Sequence, residues 1–352
     1  MFQIQAYETS ESAIRRIGLE LIDENRSLLA EPFVDEETAV HEARKNFKRL
    51  RAVLRLVRNV IGEGAYQQED TCFRDAGRRL AVLRDSAVIV ETLDNVCAFY
   101  AADLPQESFA SIRAKLVDWQ QAISQQFLQD GRMLREVTAV LQEARPRFAA
   151  LPINQDGFGA FAAGLQHVYG RGRRCMDAAY AANSPELFHD WRKQVKYLWH
   201  HVELLTLVWP PVMDEVVREL HELSDYLGVA HDLVVLRHML SEWADNFTAD
   251  DDLPRLLALL AERQAALETA ANPLGQRFYA ERPSTFVHRL SVYWNTWQEF
   301  GFNGLPPQPP RLISTQEAAA QLGVSVTAVR KRIASGELPA VKVGGVWVVI
   351  CN

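Results

Sequence analysis

No cysteine framework is present: Cys72, Cys97, Cys175 and Cys351 are the four cysteines in 352 residues, and none belongs to a CxxC pair. Neither a zinc site nor a disulfide staple is expected of them. No apolar run reaches the roughly 18 residues of a membrane span, and residues 1–10 lack the basic-then-apolar order of a signal peptide. The expectation is a soluble cytoplasmic protein with no membrane partner. The short signatures GxxxxGKS/T, HExxH and GxSxG are also missing. His221, His231 and His238, with Asp225 and Asp232, follow no metal-ligand spacing. These absences predict a protein that is not an enzyme, with no catalytic residue, metal or cofactor.

Net positive charge is lacking too. The formal charge of -7 argues against a protein that coats nucleic acid by bulk charge, so the placement of the basic residues matters more than their number. After residue 310, the five cations Arg311, Arg330, Lys331, Arg332 and Lys342 face Glu317 and Glu337, giving +3 and leaving -10 on the residues before. With 48% hydrophobic residues the chain is long enough to bury at least one full core.

Strand signals are missing before residue 300. Apolar residues recur instead at three- and four-residue steps over 13–29, 40–61, 73–99, 109–141, 158–180, 187–209, 212–243, 253–267 and 286–300, the spacing of helices with one buried face. The proline-rich stretch 304–311 removes backbone donors and favours an extended conformation, so it reads as a semi-rigid linker. An internal repeat runs through the helical part. The pattern HxxRKxxK begins at His41 and again at His189, 148 positions later, and LRDSAV from Leu83 matches AHDLVV from Ala230 at an offset of 147. Two similar offsets in the same order imply duplication of a helical unit of about 150 residues: repeat 1 about 1–150, repeat 2 about 151–303.

At 100° per residue, His41, Arg44, Lys45, Lys48 and Arg55 fall within about 60° of one line, while Phe47, Leu50, Val53, Leu54 and Val57 occupy the opposite arc. Arg49, Arg51 and Arg58 widen the cationic side. Seven cations stand against one glutamate between His41 and Arg58, with few acidic partners at helical spacing; such a surface is most readily understood if a polyanion neutralises it. From His41 to Arg55 the stripe rises about 21 Å, too long for one small phosphate. The second copy, His189, Arg192, Lys193 and Lys196, is weaker, with Tyr197, Trp199 and Glu203 where the first has Arg49, Arg51 and Arg55. Arg171, Arg173 and Arg174 lie just upstream and can supply charge. The first stripe is therefore expected to carry more of the binding. A solvated basic face is the plain alternative, as is a structural hydrogen-bonding role for His41 and His189.

Residues 41–58, 83–88, 169–174, 189–205 and 227–235 together resemble the CHAD family, the conserved histidine α-helical domain that binds inorganic polyphosphate. The resemblance covers roughly residues 5–303. It implies an all-α fold of two four-helix bundles related by pseudo-twofold symmetry, with the basic helices facing a central channel where the phosphate chain lies. On that reading the polyphosphate-binding residues are His41, Arg44, Lys45, Lys48, Arg49, Arg51, Arg55, Arg173, Arg174, His189, Arg192, Lys193 and Lys196.

The end of the chain is a separate module, residues 312–352. Residues 312–333 read as two short helices broken at Gly323, capped by Ser314 or Thr315 and by Ser325. Residues 338–350 read as a hairpin turning at Gly344-Gly345. Helix, turn, helix and wing is a DNA-binding arrangement. The module resembles the MerR/excisionase type of winged helix-turn-helix in EAA from Glu317, LGVS from Leu322, SGELP from Ser335 and VGG from Val343. That resemblance assigns Thr327, Arg330 and Lys331 to double-stranded DNA, with a homodimer able to pair two half-sites. Its wing, 346–350, is apolar where family wings carry basic residues, which leaves protein contact or dimerisation as the alternative. The expected function is binding of inorganic polyphosphate, linked to DNA or gene regulation through the C-terminal module, at polyphosphate granules or the nucleoid. The alternatives are a DNA-binding regulator that senses an anionic metabolite and a polyphosphate-processing enzyme.

Overall fold

A computed structural model of the chain describes residues 2–30, 36–105, 107–247, 252–301, 311–334, 338, 340–343 and 346–351. Two compact units emerge, Met1–Asn295 and Thr296–Asn352. The first holds α1 (Ser10–Ala30), α2 (Glu36–Leu56), the short α3 (Arg58–Ile61), α4 (Glu63–Arg79), α5 (Ala81–Phe99), α6 (Ala110–Asp130), α7 (Arg132–Ala149), α8 (Gly159–Ala182), α9 (Pro185–Leu204), α10 (Pro210–Glu242) and α11 (Leu253–Phe278). It also holds most of α12 (Pro283–Phe300), whose last turns pass the division between the units. Among the described residues no helix is long and apolar enough to cross a membrane.

The apolar arcs read from the sequence become two helical bundles. In the first, α1, α2, α4 and α7 enclose Phe47, Phe73 and Phe148, all essentially inaccessible to solvent, with successive ring centroids 6.2 Å apart. In the second, α8, α9, α10 and α11 surround Trp191, whose ring meets those of Tyr180 and Phe188. The phenol of Tyr180 donates to the Glu268 carbonyl at 2.7 Å, tying α8 to α11, and α12 stacks Phe286 on Tyr169 at 4.2 Å.

Two long apolar periods are each two helices rather than one. The stretch 73–99 falls on α4 and α5, which part at Leu80, and 109–141 falls on α6 and α7, which part at Gly131. Gly131 sits at φ 48°, a left-handed conformation that costs glycine little. The period runs on through both breaks because the helices on either side keep their apolar faces on buried cores. The equivalent of α4 and α5 in the second half, α10, is continuous over 33 residues. Beyond the two bundles, the far ends of α5, α6, α10 and α11 share a further core, with Leu93, Ile112 and Leu116 meeting Leu233, Leu236, Leu256 and Leu260.

The two basic helices touch each other. Buried His201 on α9 donates from Nε2 to the Ala52 carbonyl on α2 at 2.8 Å, and complete burial holds its imidazole neutral, with the pKa lowered to about 3. A β-carbon on Gly164 would lie 2.0 Å from the Leu56 carbonyl oxygen, so only glycine lets α8 pack this closely on the end of α2.

In the second unit, β1 (Arg311–Ser314) precedes α13 (Thr315–Leu322), α14 (Val326–Ala334), β2 (Ala340–Val343) and β3 (Val346–Cys351). The caps fall as read: Ser314 and Glu317 form a reciprocal capping box, and Ser325 accepts from the Ala328 amide at 3.2 Å. Residues 311–314, by contrast, are a strand, not the start of the first helix. The sheet order is β1-β3-β2, antiparallel throughout, with Ile313 opposite Val349 and Val341 opposite Val348. This explains the apolar wing. Strand β3 is central, and its Val349 lies in a core with Ile313, Ala318, Ala319 and Val329. The expected turn at Gly344-Gly345, the segment 335–337 and the linker 304–310 lie outside the described residues.

Candidate functional site

The contact of α2 with α9 turns two stripes, 148 positions apart in sequence, into the facing walls of one cleft of about 500 Å³. Arg44, Lys48, Arg51 and Arg55 line it from α2, and His189, Arg192, Lys193 and Lys196 from α9. The other five predicted residues are not among its lining. His41 is exposed beside Glu42, Lys45 reaches Glu42 at 3.3 Å, and Arg49 pairs with Glu203 at 2.9 Å over the Phe2 ring. Arg173 donates to the Glu281 carbonyl at 3.3 Å, and Arg174 is exposed. Arg171 supplies the charge from α8, while Arg74 and Arg78 enter from α4. The last two were missed by sequence reasoning, although they stand four residues apart on one helical face with Gly77 beside them.

Most of the α2 cations already have carboxylate partners. Arg51 donates to Asp70 at 2.9 Å; Arg55 reaches the same carboxylate at 3.5 Å and lies 4.3 Å from the Tyr197 ring centroid. Arg44 donates to Asp85 at 3.1 Å and to the Gly77 carbonyl at 3.2 Å. On α9, Lys193 pairs with Asp190. Lys48, Arg192 and Lys196 differ. Among the described residues none of these three has a carboxylate within ion-pair distance, and the buried Nε of Arg192 and Nδ1 of His189 lack hydrogen-bond partners.

Loss of hydration is the largest influence on this group. The pKa of Lys48 is lowered to about 8 and that of Lys196 to about 7, first by desolvation and then by Arg44 and Arg192. Lys48 is exposed to solvent, yet the cleft walls replace much of its hydration shell. Desolvation also lowers the pKa of Arg192 and raises that of Asp232 against the pull of Arg192, Lys196 and Lys48. His189 stacks on His231 at 4.1 Å, and burial plus the neighbouring cations hold His231 neutral, at about 3. Asp85 and Asp232, matched in the repeat, thus flank the cleft in equivalent roles: one hydrogen-bonds Arg44, and the other acts through space on Arg192.

The comparisons identify the family and the fold. The CHAD domain family model matches residues 20–241, and a helix-turn-helix domain model matches 312–351. The crystal structure of the CHAD domain from the plant Ricinus communis shares the fold with a TM-score of 0.57 at 19% identity, covering 80% of this chain and 95% of that one. Comparison with curated proteins gives no match. The chain belongs to the CHAD family, and a helix-turn-helix domain follows its all-α body.

Proposed function

We propose that the cleft binds inorganic polyphosphate. One observation carries this reading: Lys48, Arg192 and Lys196 converge from both halves of the repeat without a carboxylate in ion-pair contact, beside the unsatisfied nitrogens of Arg192 and His189. Poorly hydrated, uncompensated cations are costly. A ligand with charge at every repeat offsets that cost through charge-assisted hydrogen bonds to several of them at once. Cations placed along two helices suit an extended anion better than a compact one. Titrating the full chain with long-chain polyphosphate, orthophosphate, ATP and duplex DNA tests the reading. The expected order puts polyphosphate first, and DNA or ATP displacing it at equal concentration overturns the assignment. The same samples incubated with magnesium and run on a sizing gel separate binding from processing, because chain shortening is expected only of an enzyme.

The C-terminal unit carries a second part of the proposal. Thr327, Arg330 and Lys331 are all exposed on α14, the second helix of the helix-turn-helix and the one that enters the major groove in such domains. Likeness to MerR/excisionase modules supports contact with duplex DNA, linking polyphosphate to gene regulation. Strand β3 carries no basic side chain, so monomeric affinity is expected to be low and a homodimer on two half-sites to bind better.

A further inference from the structure

A recess of about 580 Å³ in the second bundle shares no lining residue with the cleft. Part of its wall is one face of α11, where Ala261, Gln264, Ala265 and Glu268 recur at helical spacing. The two alanines keep that face low beside Gln264 and Glu268, polar side chains that are only 8% and 9% exposed. The Gln264 amide donates to one Glu268 carboxylate oxygen at 2.8 Å. The Gln264 carbonyl and the other Glu268 oxygen have no hydrogen-bond partner among the described residues. Tyr180 anchors this part of α11 through the Glu268 backbone carbonyl, and with Phe188 it gives the recess an aromatic side. Arg237, half-buried on α10, lines the same space. It attracts Glu268 through space, yet no ion pair joins them, and among the described residues Arg237 has no other carboxylate in ion-pair contact. Burial raises the pKa of Glu268 against the pull of Gln264 and Arg237. A poorly hydrated carboxylate and a guanidinium thus border one space without neutralising each other, and each favours a ligand group of opposite charge.

We propose that this recess binds a small zwitterion, its ammonium taken by Glu268 and the Gln264 carbonyl, its carboxylate by Arg237, and its short apolar spacer by Phe188 and the alanines. Binding there needs neither the cleft nor its cations. One molecule carrying both charges answers both walls for a single loss of translational freedom. A diamine brings a like charge to Arg237 and a dicarboxylate brings one to Glu268. Calorimetric titration of the full chain with β-alanine, γ-aminobutyrate and ε-aminocaproate, against putrescine and glutarate, is the test. At least one of the amino acids is expected to bind about tenfold more tightly than either putrescine or glutarate. Glu268→Gln, which keeps an acceptor for the Gln264 amide, is expected to remove the advantage over glutarate, and Arg237→Met the advantage over putrescine. Ala265→Leu, at an exposed position, fills the space between the charges and is expected to weaken amino-acid binding about tenfold or more while leaving both charges in place. It decides the matter should a charge variant lose helicity. Putrescine or glutarate binding as tightly as the amino acids, no binding by any probe, or undiminished binding by the Ala265→Leu protein overturns the site.

Discussion

The two halves of the repeat reverse their apparent ranking once their neighbours are considered. Stripe α2 holds more arginines, but Arg44, Arg49, Arg51 and Arg55 face Asp85, Glu203 and Asp70. Stripe α9 has fewer cations, yet Arg192 and Lys196 have no carboxylate in ion-pair contact and share that condition with Lys48 alone among the α2 lining. Glu203 occupies the position matching Arg55, and it neutralises Arg49 of the other half. What a polyanion meets is charge left uncompensated in space, not charge counted along a helix. The larger share of binding expected of the first stripe passes to a group that spans both.

The strongest test of this comparison is charge reversal. Lys48→Glu with Lys196→Glu is expected to weaken polyphosphate binding roughly a hundredfold or more, since truncation or reversal of poorly hydrated charged contacts costs several kcal/mol. Arg49→Ala is expected to change it less than about threefold, because Glu203 already holds that guanidinium. Calorimetric titration of each variant decides, and comparable losses would return the advantage to raw charge count. Arg51→Ala with Arg55→Ala should instead appear in stability, by about 3 kcal/mol in urea unfolding, as Asp70 is left largely buried without a partner.

Proton linkage sharpens the same contrast. Free Lys196 and Lys48 titrate near pH 7 and 8, and a bound polyanion favours their charged forms. Binding is therefore expected to strengthen as pH falls from about 9 to about 6, with proton uptake at pH 8. Titration in buffers of different ionisation enthalpy reads this directly, and pH-independent affinity would contradict it. His201 works on stability in the opposite sense. Its folded pKa, about 3, lies below the usual 6.5, so the stability it contributes is complete above pH 6.5 and declines as pH falls toward 3, by at most about 1.4 kcal/mol per pH unit. A His201→Gln variant, which retains a donor for the Ala52 carbonyl, is expected to flatten that part of the thermal-stability profile.

Salt dependence should give a smaller but diagnostic difference. The four lining cations without a carboxylate in ion-pair contact, Lys48, Arg171, Arg192 and Lys196, alone predict a log-log slope near -3, whereas six participating cations predict about -4. Slopes near the second value would mean that polyphosphate displaces Asp85 or Asp70 from its arginines. The smallest effect is expected at the tail, where Arg330→Ala with Lys331→Ala should abolish weak duplex binding at low salt and leave polyphosphate affinity unaltered. Retained DNA binding by that variant would remove α14 from the interface.

Much of this architecture was legible in the sequence. Helical periods, the HxxRK duplication and the capping box at Ser314 depend on neighbours within a few residues or on a pattern that repeats, and both survive without coordinates. The splits at Leu80 and Gly131 were not visible, because apolar spacing continues across them. Strand β1 was also missed: four residues carry little periodicity, and it is β3, more than thirty positions away, that pairs with them. The division between compensated and uncompensated cations lay beyond the sequence altogether. Glu203 and Asp70 are 154 and 19 positions from the arginines they hold, and His231 comes to His189 from a different helix. The sequence by itself determined which side chains could be cationic and on which helical face. Only the tertiary structure decided which of them kept a charge to offer, because Coulomb interaction and desolvation depend on distance through space and on the water excluded by packing.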